Sequence, residues 1–171
     1  ATGVHADRVR RLDDPAVAPL LTPSQGIHLV VDADFLPGRQ ALMIPETEDG
    51  RVMFAIPWQG KVLLGTTDTP RPELQQLDNP QPLVAEIDFL LRTAAKVLTR
   101  PPTRADIRSV FAGLRPLIHP DSTDHRTTAA LSREHAVLVS AGGLVTLAGG
   151  KWTTYRLMAE HAVARAAEVA G

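Results

Sequence analysis

The residues best suited to chemistry lie in one run near the C-terminal end, Leu144-Val-Thr-Leu-Ala-Gly149-Gly150-Lys151-Trp-Thr153-Thr154-Tyr-Arg156. The pattern predicts a strand, a glycine turn and the start of a helix. Glycines let a backbone approach a ligand closely. The first N–H groups of a helix lack intrahelical partners, and the helix dipole adds partial positive charge there. Lys151, Thr153 and Thr154 would then present a cation and two hydroxyls to the same spot, which suits a phosphate, a carboxylate or an electron-rich ring carbonyl. The plainer reading is a glycine turn before a capped helix, with both threonines bonding locally. A P-loop is excluded, because G-x-x-x-x-G-K needs glycine where Val145 stands and Ser or Thr where Trp152 stands.

Composition limits what can surround this run. With 171 residues, 44% of them hydrophobic and 22% charged, the chain is an ordinary globular sequence of one domain, or one domain plus a fragment. Eighteen Lys and Arg against 19 Asp and Glu leave a net charge of −1, which argues against a nucleic-acid or anionic-membrane surface. The absence of cysteine removes disulfides, thiolate catalysis and cysteine-ligated metals. His119, His125, His135 and His161 have no metal-ligand spacing and read as surface residues. No run of about 18 apolar residues is present. The opening Ala1-Thr2-Gly3-Val4-His5 is neither a signal peptide nor a Met start, and reads as the edge of an excised piece.

The elements that must position the candidates follow from periodicity. Residues 1–3 read as the tail of a strand turning into a short helix over 4–12, stopped by Asp13-Asp14-Pro15. Residues 15–25, with three prolines, read as an extended connector. Four strands follow at 26–32, 40–45, 51–58 and 61–68, the last two joined by Gln59-Gly60 as a tight antiparallel hairpin. Leu83, Val84, Ile87, Leu90, Leu91, Ala94, Val97 and Leu98 recur at helical spacing, with Glu86, Asp88, Arg92 and Lys96 assigned to the opposite, polar side. Residues 107–118 read as a fifth strand broken by Gly113 and Pro116, and 134–140 with 144–147 as a last hairpin. Residues 151–169 read as a terminal helix with Tyr155, Met158, Ala162 and Ala166 on one apolar face. The fold class expected is α+β: a largely antiparallel sheet of about six strands, one long helix packed across it, and a terminal helix.

Several of these blocks carry a family resemblance. Ala1-Thr2-Gly3, Gly26-Ile27-His28-Leu-Val-Val, Arg51-Val-Met-Phe-Ala-Ile-Pro57-Trp58, Gly65-Thr66-Thr67-Asp68, Gly113-Leu114-Arg115-Pro116-Leu117 and Gly149-Gly150-Lys151-Trp-Thr-Thr-Tyr-Arg156 occur in this order over nearly the whole chain. Together they resemble the FAD-dependent, quinone-linked glycerol-3-phosphate dehydrogenases. His5 departs from the aromatic residue usual at its place. The strand–GxGxxG–helix that carries the FAD pyrophosphate in that family does not occur here.

The resemblance implies hydride transfer from C2 of sn-glycerol 3-phosphate to N5 of FAD, giving dihydroxyacetone phosphate, with electrons passed to quinone. It implies His28, Asp68 and Lys151 as catalytic candidates, His28 taking the hydroxyl proton or orienting that hydroxyl. The alternatives are a hydrogen-bonded core histidine for His28 and a turn-capping role for Asp68. Arg115, Arg133, Lys151 and Thr154 are the substrate-binding candidates. Arg115 stands out because a cation on an otherwise apolar strand is costly to bury unless paired, and a structural ion pair is its alternative. Ala1, Thr2, Gly3, Gly149, Gly150, Lys151, Thr153 and Thr154 are the cofactor-facing candidates; no metal is implied.

The expected division is 1–25 as the end of an FAD-domain segment and connector, 26–140 as a substrate or cap domain containing helix 83–98, and 141–171 as a return to the FAD domain. Without the pyrophosphate motif, this chain alone is expected to hold no FAD and to be inactive. For the complete protein the resemblance implies a cytoplasmic enzyme, peripheral on the inner face of the membrane, and leaves a homodimer open. Two other readings stand beside it: an FAD-dependent amine or amino-acid oxidoreductase, and a non-catalytic module binding a phosphometabolite.

Overall fold

The computed structural model describes residues 2–71, 77–118 and 134–171. In chain order its elements are α1 (Ala6–Asp13), β1 (Leu21–Asp32), β2 (Leu42–Ile44), β3 (Met53–Trp58), β4 (Lys61–Gly65), β5 (Thr69–Pro70), α2 (Val84–Ala95), β6 (Ser109–Ile118), β7 (His135–Val139), β8 (Val145–Gly149) and α3 (Tyr155–Ala170). Two compact units result, one from 1–24, 70–77 and 114–171, the other from 25–69 and 78–113. The α+β class holds: a six-stranded sheet, a long helix packed on it, and a terminal helix.

In the second unit the strand order is β2-β3-β4-β1-β5, with β6 also pairing β1. β2, β3 and β4 form an antiparallel meander, and β1 closes against β4 with His28 opposite Gly65 and Asp32 opposite Lys61. The β3–β4 turn is Gln59-Gly60, at φ 47° and 74°. Two positive φ values define the type I′ turn whose twist matches paired strands. β1 begins at Leu21 and runs through Pro23, so part of the expected connector is strand. β6 runs unbroken past Gly113 and Pro116.

Alternation along the strands builds two unlike faces. Ile27, Leu29, Val31, Met53, Ala55, Val62 and Leu64 are buried with Leu90, Leu91 and Ala94 of α2. His28, Val30, Phe54, Trp58 and Met43 occupy the other face, where Phe54, Trp58 and Met43 are exposed. α2 therefore covers one side of the sheet only.

The helix itself corrects the periodic reading. Glu86, assigned to the polar side, is buried, while Leu83, Val84 and Val97 are exposed. The Glu86 carboxylate accepts hydrogen bonds from Gln25 Nε2 (2.6 Å), Thr67 Oγ1 (2.9 Å), Thr69 Oγ1 (2.7 Å) and the Leu83 backbone N–H (2.9 Å). The last is a capping-box bond from the third helical position. Periodicity misplaces Glu86 because first-turn side chains reach back to the cap rather than out to water. Glu86→Ala is expected to lower stability by at least about 3 kcal/mol, since each buried donor left unsatisfied costs about 1–3 kcal/mol. Urea denaturation measures it.

At the far end of β1, Asp32 accepts from Lys61 Nζ (2.6 Å) and from the Arg108 guanidinium (2.9 and 2.6 Å). The Arg108 bonds, then Lys61, hold its carboxyl down from 3.8 to about 2. A depressed carboxylate stabilises the fold above its unfolded value and loses that contribution as pH falls through the folded one. Asp32→Asn is therefore expected to be less stable than the parent at neutral pH. The difference should shrink between pH 3.8 and about 2, which thermal melting against pH would show.

In the first unit, Thr2 and Gly3 are not in a strand: Gly3–His5 is a 3-10 turn leading into α1. Asp7 of α1 accepts the backbone N–H groups of Leu20 and Leu21 and pairs with Arg10 at 2.7 Å. β7 and β8 form the expected hairpin, His135 opposite Gly149. α3 begins at Tyr155 after a 3-10 turn over Trp152–Thr154. It buries no side chain fully: Met158 and Ala162 are half-buried, while Tyr155 and Ala166, expected on the same apolar face, are exposed.

Candidate active site

His28 lies on the open face of the sheet, half-buried, between the buried Ile27 and Leu29. Its ring is stacked on Phe111 of β6, centroids 5.0 Å apart and planes 11° from parallel. A row across the strands contains Met43, Phe54, Gly65 and His28 as successive register partners. This arrangement departs from a core histidine, since every other residue of β1 from Ile27 onward enters the core and His28 does not.

Asp68 follows the end of β4 and is half-buried. Its neighbours Thr67 and Thr69 both bond Glu86. Thr67 Oγ1 also accepts the backbone N–H of Ile27 at 3.0 Å. One buried carboxylate thus fixes the backbone beside both His28 and Asp68. The sequence signal for it was the Glu three residues after Leu83, a capping-box spacing.

The remaining candidates fall in the first unit. Arg115 is half-buried on β6. Thr2 and Gly3 are exposed; Ala1 and Arg133 lie outside the described residues, as do His119 and His125. His135 is half-buried and His161 exposed, and they pair with each other, Nε2 to Nδ1, at 2.9 Å.

Packing within the chain constrains the glycine turn. Gly149 and Gly150 have φ of +69° and +80°. A methyl on Gly149 would sit 2.6 Å from the Glu134 carbonyl and 2.8 Å from Ile118 Cδ1. One on Gly150 would meet the Met158 thioether and the His135 Cβ. The chain's own packing demands glycine at both positions. Thr154 Oγ1 donates to the Lys151 carbonyl (3.0 Å), a local bond of the plainer reading. Lys151 and Thr153 remain exposed beside a stacked pair, Trp152 and Tyr155, at 5.5 Å. That aromatic pair was visible in the sequence only as two residues three apart around a helix start.

Comparison with known proteins settles the family. Residues 1–156 match the model of the FAD dependent oxidoreductase family. The chain belongs to that family. FAD-dependent oxidoreductases similar to it include a probable mitochondrial glycerol-3-phosphate dehydrogenase of Dictyostelium discoideum, 39% identical over 95% of this chain and 26% of that protein. The mitochondrial glycerol-3-phosphate dehydrogenase of Homo sapiens is 41% identical over 95% of this chain and 22% of its own length. The chain therefore spans about a quarter of the curated relatives it matches. An X-ray structure of the glycerol-3-phosphate dehydrogenase from Bacillus halodurans complexed with FAD superposes with a TM-score of 0.82. It is 37% identical, and the match covers 98% of this chain and 31% of that one. No helix among the described residues is long and apolar enough to cross a membrane.

Lys151 and Thr153 thus place an exposed cation and an exposed hydroxyl just before the start of α3. Gly149→Ala is expected to destabilise by about 2 kcal/mol, through positive φ and collision with a backbone carbonyl. Gly150→Ala should cost less than Gly149→Ala, because the Met158 end can move aside. Thermal melts of the two variants compare them directly.

Proposed function

We propose that this chain forms the substrate-side sheet and the last cofactor-facing segment of an FAD-dependent glycerol-3-phosphate dehydrogenase. The observation that carries the reading is His28, an imidazole held on the open face of a sheet whose opposite face is core. FAD, when bound, supplies a two-electron acceptor for the hydride that leaves C2 of glycerol 3-phosphate. His28 takes the proton of the C2 hydroxyl as its oxygen becomes the carbonyl of dihydroxyacetone phosphate, so one hydride and one proton leave together. Asp68 orients His28 or a substrate hydroxyl. Arg115 and Arg133 bind the phosphate, whose planar, bidentate demand suits guanidinium forks. Lys151 places a cation toward the substrate or the ring edge, where charge accumulates during reduction, with Thr153 and Thr154 beside it. Thr2, Gly3, Gly149 and Gly150 shape backbone near the cofactor, together with Ala1.

The names of the relatives support this substrate over an amine or an amino acid. Quinone as the electron acceptor, a peripheral membrane contact, a homodimer, and the three-part division at 25/26 and 140/141 belong to the same proposal. So does the inability of this chain alone to hold FAD. The mitochondrial placement in the relatives' names is stated of those proteins; for this one we propose the cytoplasmic side of a membrane.

The test is anaerobic flavin reduction by glycerol 3-phosphate in the complete protein, followed by stopped flow. His28→Asn is expected to slow reduction by about 10²- to 10⁴-fold, the usual worth of a positioned general base. Arg115→Ala should weaken substrate binding by roughly 10- to 150-fold, equivalent to about 1.5–3 kcal/mol for a charge-assisted contact. Reduction at the parent rate in His28→Asn would return that residue to a purely structural role.

A further inference from the structure

The environment of the His28 ring is more specific than proton transfer alone requires. A methyl built on Gly65 would lie 2.7 Å from His28 Cγ and 2.7 Å from Nε2, and closer still to Cδ2 between them. Approach within the ring plane, along the Cδ2–H bond, would leave the flanking atoms farther away. Nearness to all three puts that methyl over the face of the imidazole. Phe111 stands on β6, which pairs with the edge of β1 that β4 leaves open, and its ring stacks on the imidazole from that side, 5.0 Å away and nearly parallel. The imidazole is thus a plate in a slot. One wall is an aromatic ring and the other is an α-carbon that carries no side chain.

We propose that Gly65 and Phe111 are positioning residues that lock the plane of the His28 imidazole, so that proton transfer occurs only edge-on. The inference rests on the reading of His28 as the proton acceptor. Both ring nitrogens lie on edges of the plate, and a plate clamped on its two faces cannot rotate about its χ2 bond. Hydrogen bonds to imidazole lie in the ring plane, so fixing the plane aims both nitrogens at once. Terminal sp³–sp² torsions such as this one are otherwise broad. The slot converts a soft torsion into a fixed direction of approach for the substrate hydroxyl. It also explains why Gly65 is glycine without a positive φ: the residue is needed for its missing side chain, not for its backbone freedom.

The test uses the complete, FAD-loaded protein with Phe111→Leu, Phe111→Tyr, Gly65→Ala and His28→Asn. Anaerobic flavin reduction is read beside the ¹H resonances of the His28 ring in ¹³C-histidine-labelled protein. Phe111→Leu should slow reduction about tenfold with substrate affinity unchanged, while Gly65→Ala, which expels the ring, should slow it about 10²-fold. Phe111→Tyr should restore the parent rate. The ring-current displacement of the His28 protons should vanish in Phe111→Leu and persist in Phe111→Tyr. Should Gly65→Ala fail to fold, the two Phe111 variants decide the matter. A parent rate in Phe111→Leu, or a slow Phe111→Tyr that keeps the ring-current shift, overturns the positioning role. A parent rate in His28→Asn instead overturns the reading of His28 beneath it, and the resonances distinguish the two failures by reporting the slot independently.

Discussion

Glu86 is the constraint on which the sheet unit depends. A carboxylate taken out of water needs its lone pairs satisfied, and here four donors from four places in the sequence supply that need. The consequence is geometric. α2 is tied by its first turn to β1 through Gln25 and to the segment after β4 through Thr67 and Thr69, so the helix can dock on only one face and at one height. The other face is left open, and that is the face on which His28 stands.

This interaction also links stability to the candidate chemistry. Thr67 gives its proton to Glu86 and accepts from the N–H of Ile27, next to His28, while Asp68 is the next residue along. The two catalytic candidates of the sheet unit are thus adjacent in sequence to residues held by one buried charge. Hydrophobic packing of Ile27, Leu29 and Val31 against α2 fixes the strand in depth; the hydrogen bonds fix it along its length.

Much of this was legible in the sequence, and the parts that were not have identifiable causes. The Gln59-Gly60 hairpin could be read because the turn type demands positive φ at both positions. α2 could be read from its period, but Glu86 could not be placed, because period alone does not separate a first-turn side chain from one facing water. Tyr155 and Ala166 fit an apolar face by spacing, yet α3 buries neither, since spacing says which residues share a side and not whether anything covers it. His28 and the Gly149-Gly150-Lys151 turn were recognisable from family blocks. The reason for those glycines was not, because it lies in Glu134 and Ile118, which are distant in sequence from the turn. Phe111 escaped notice for the same reason: its partnership with His28 spans 83 positions and is visible only once β6 lies beside β1.

The alternation of β1 makes its own correctness check. Ile27, Leu29 and Val31 go inward while His28, Val30 and Asp32 go outward. A slip of β1 by a single residue would exchange the two sets, sending an imidazole and a carboxylate into the core and three aliphatic side chains to the surface. Misregistered chains would therefore be unstable before they could be merely inactive. For anyone altering this chain, the practical meaning is that insertions or deletions within β1 will be eliminated at the folding stage. The outward positions act on the scaffold through individual partners instead, Asp32 through Lys61 and Arg108 and His28 through Phe111.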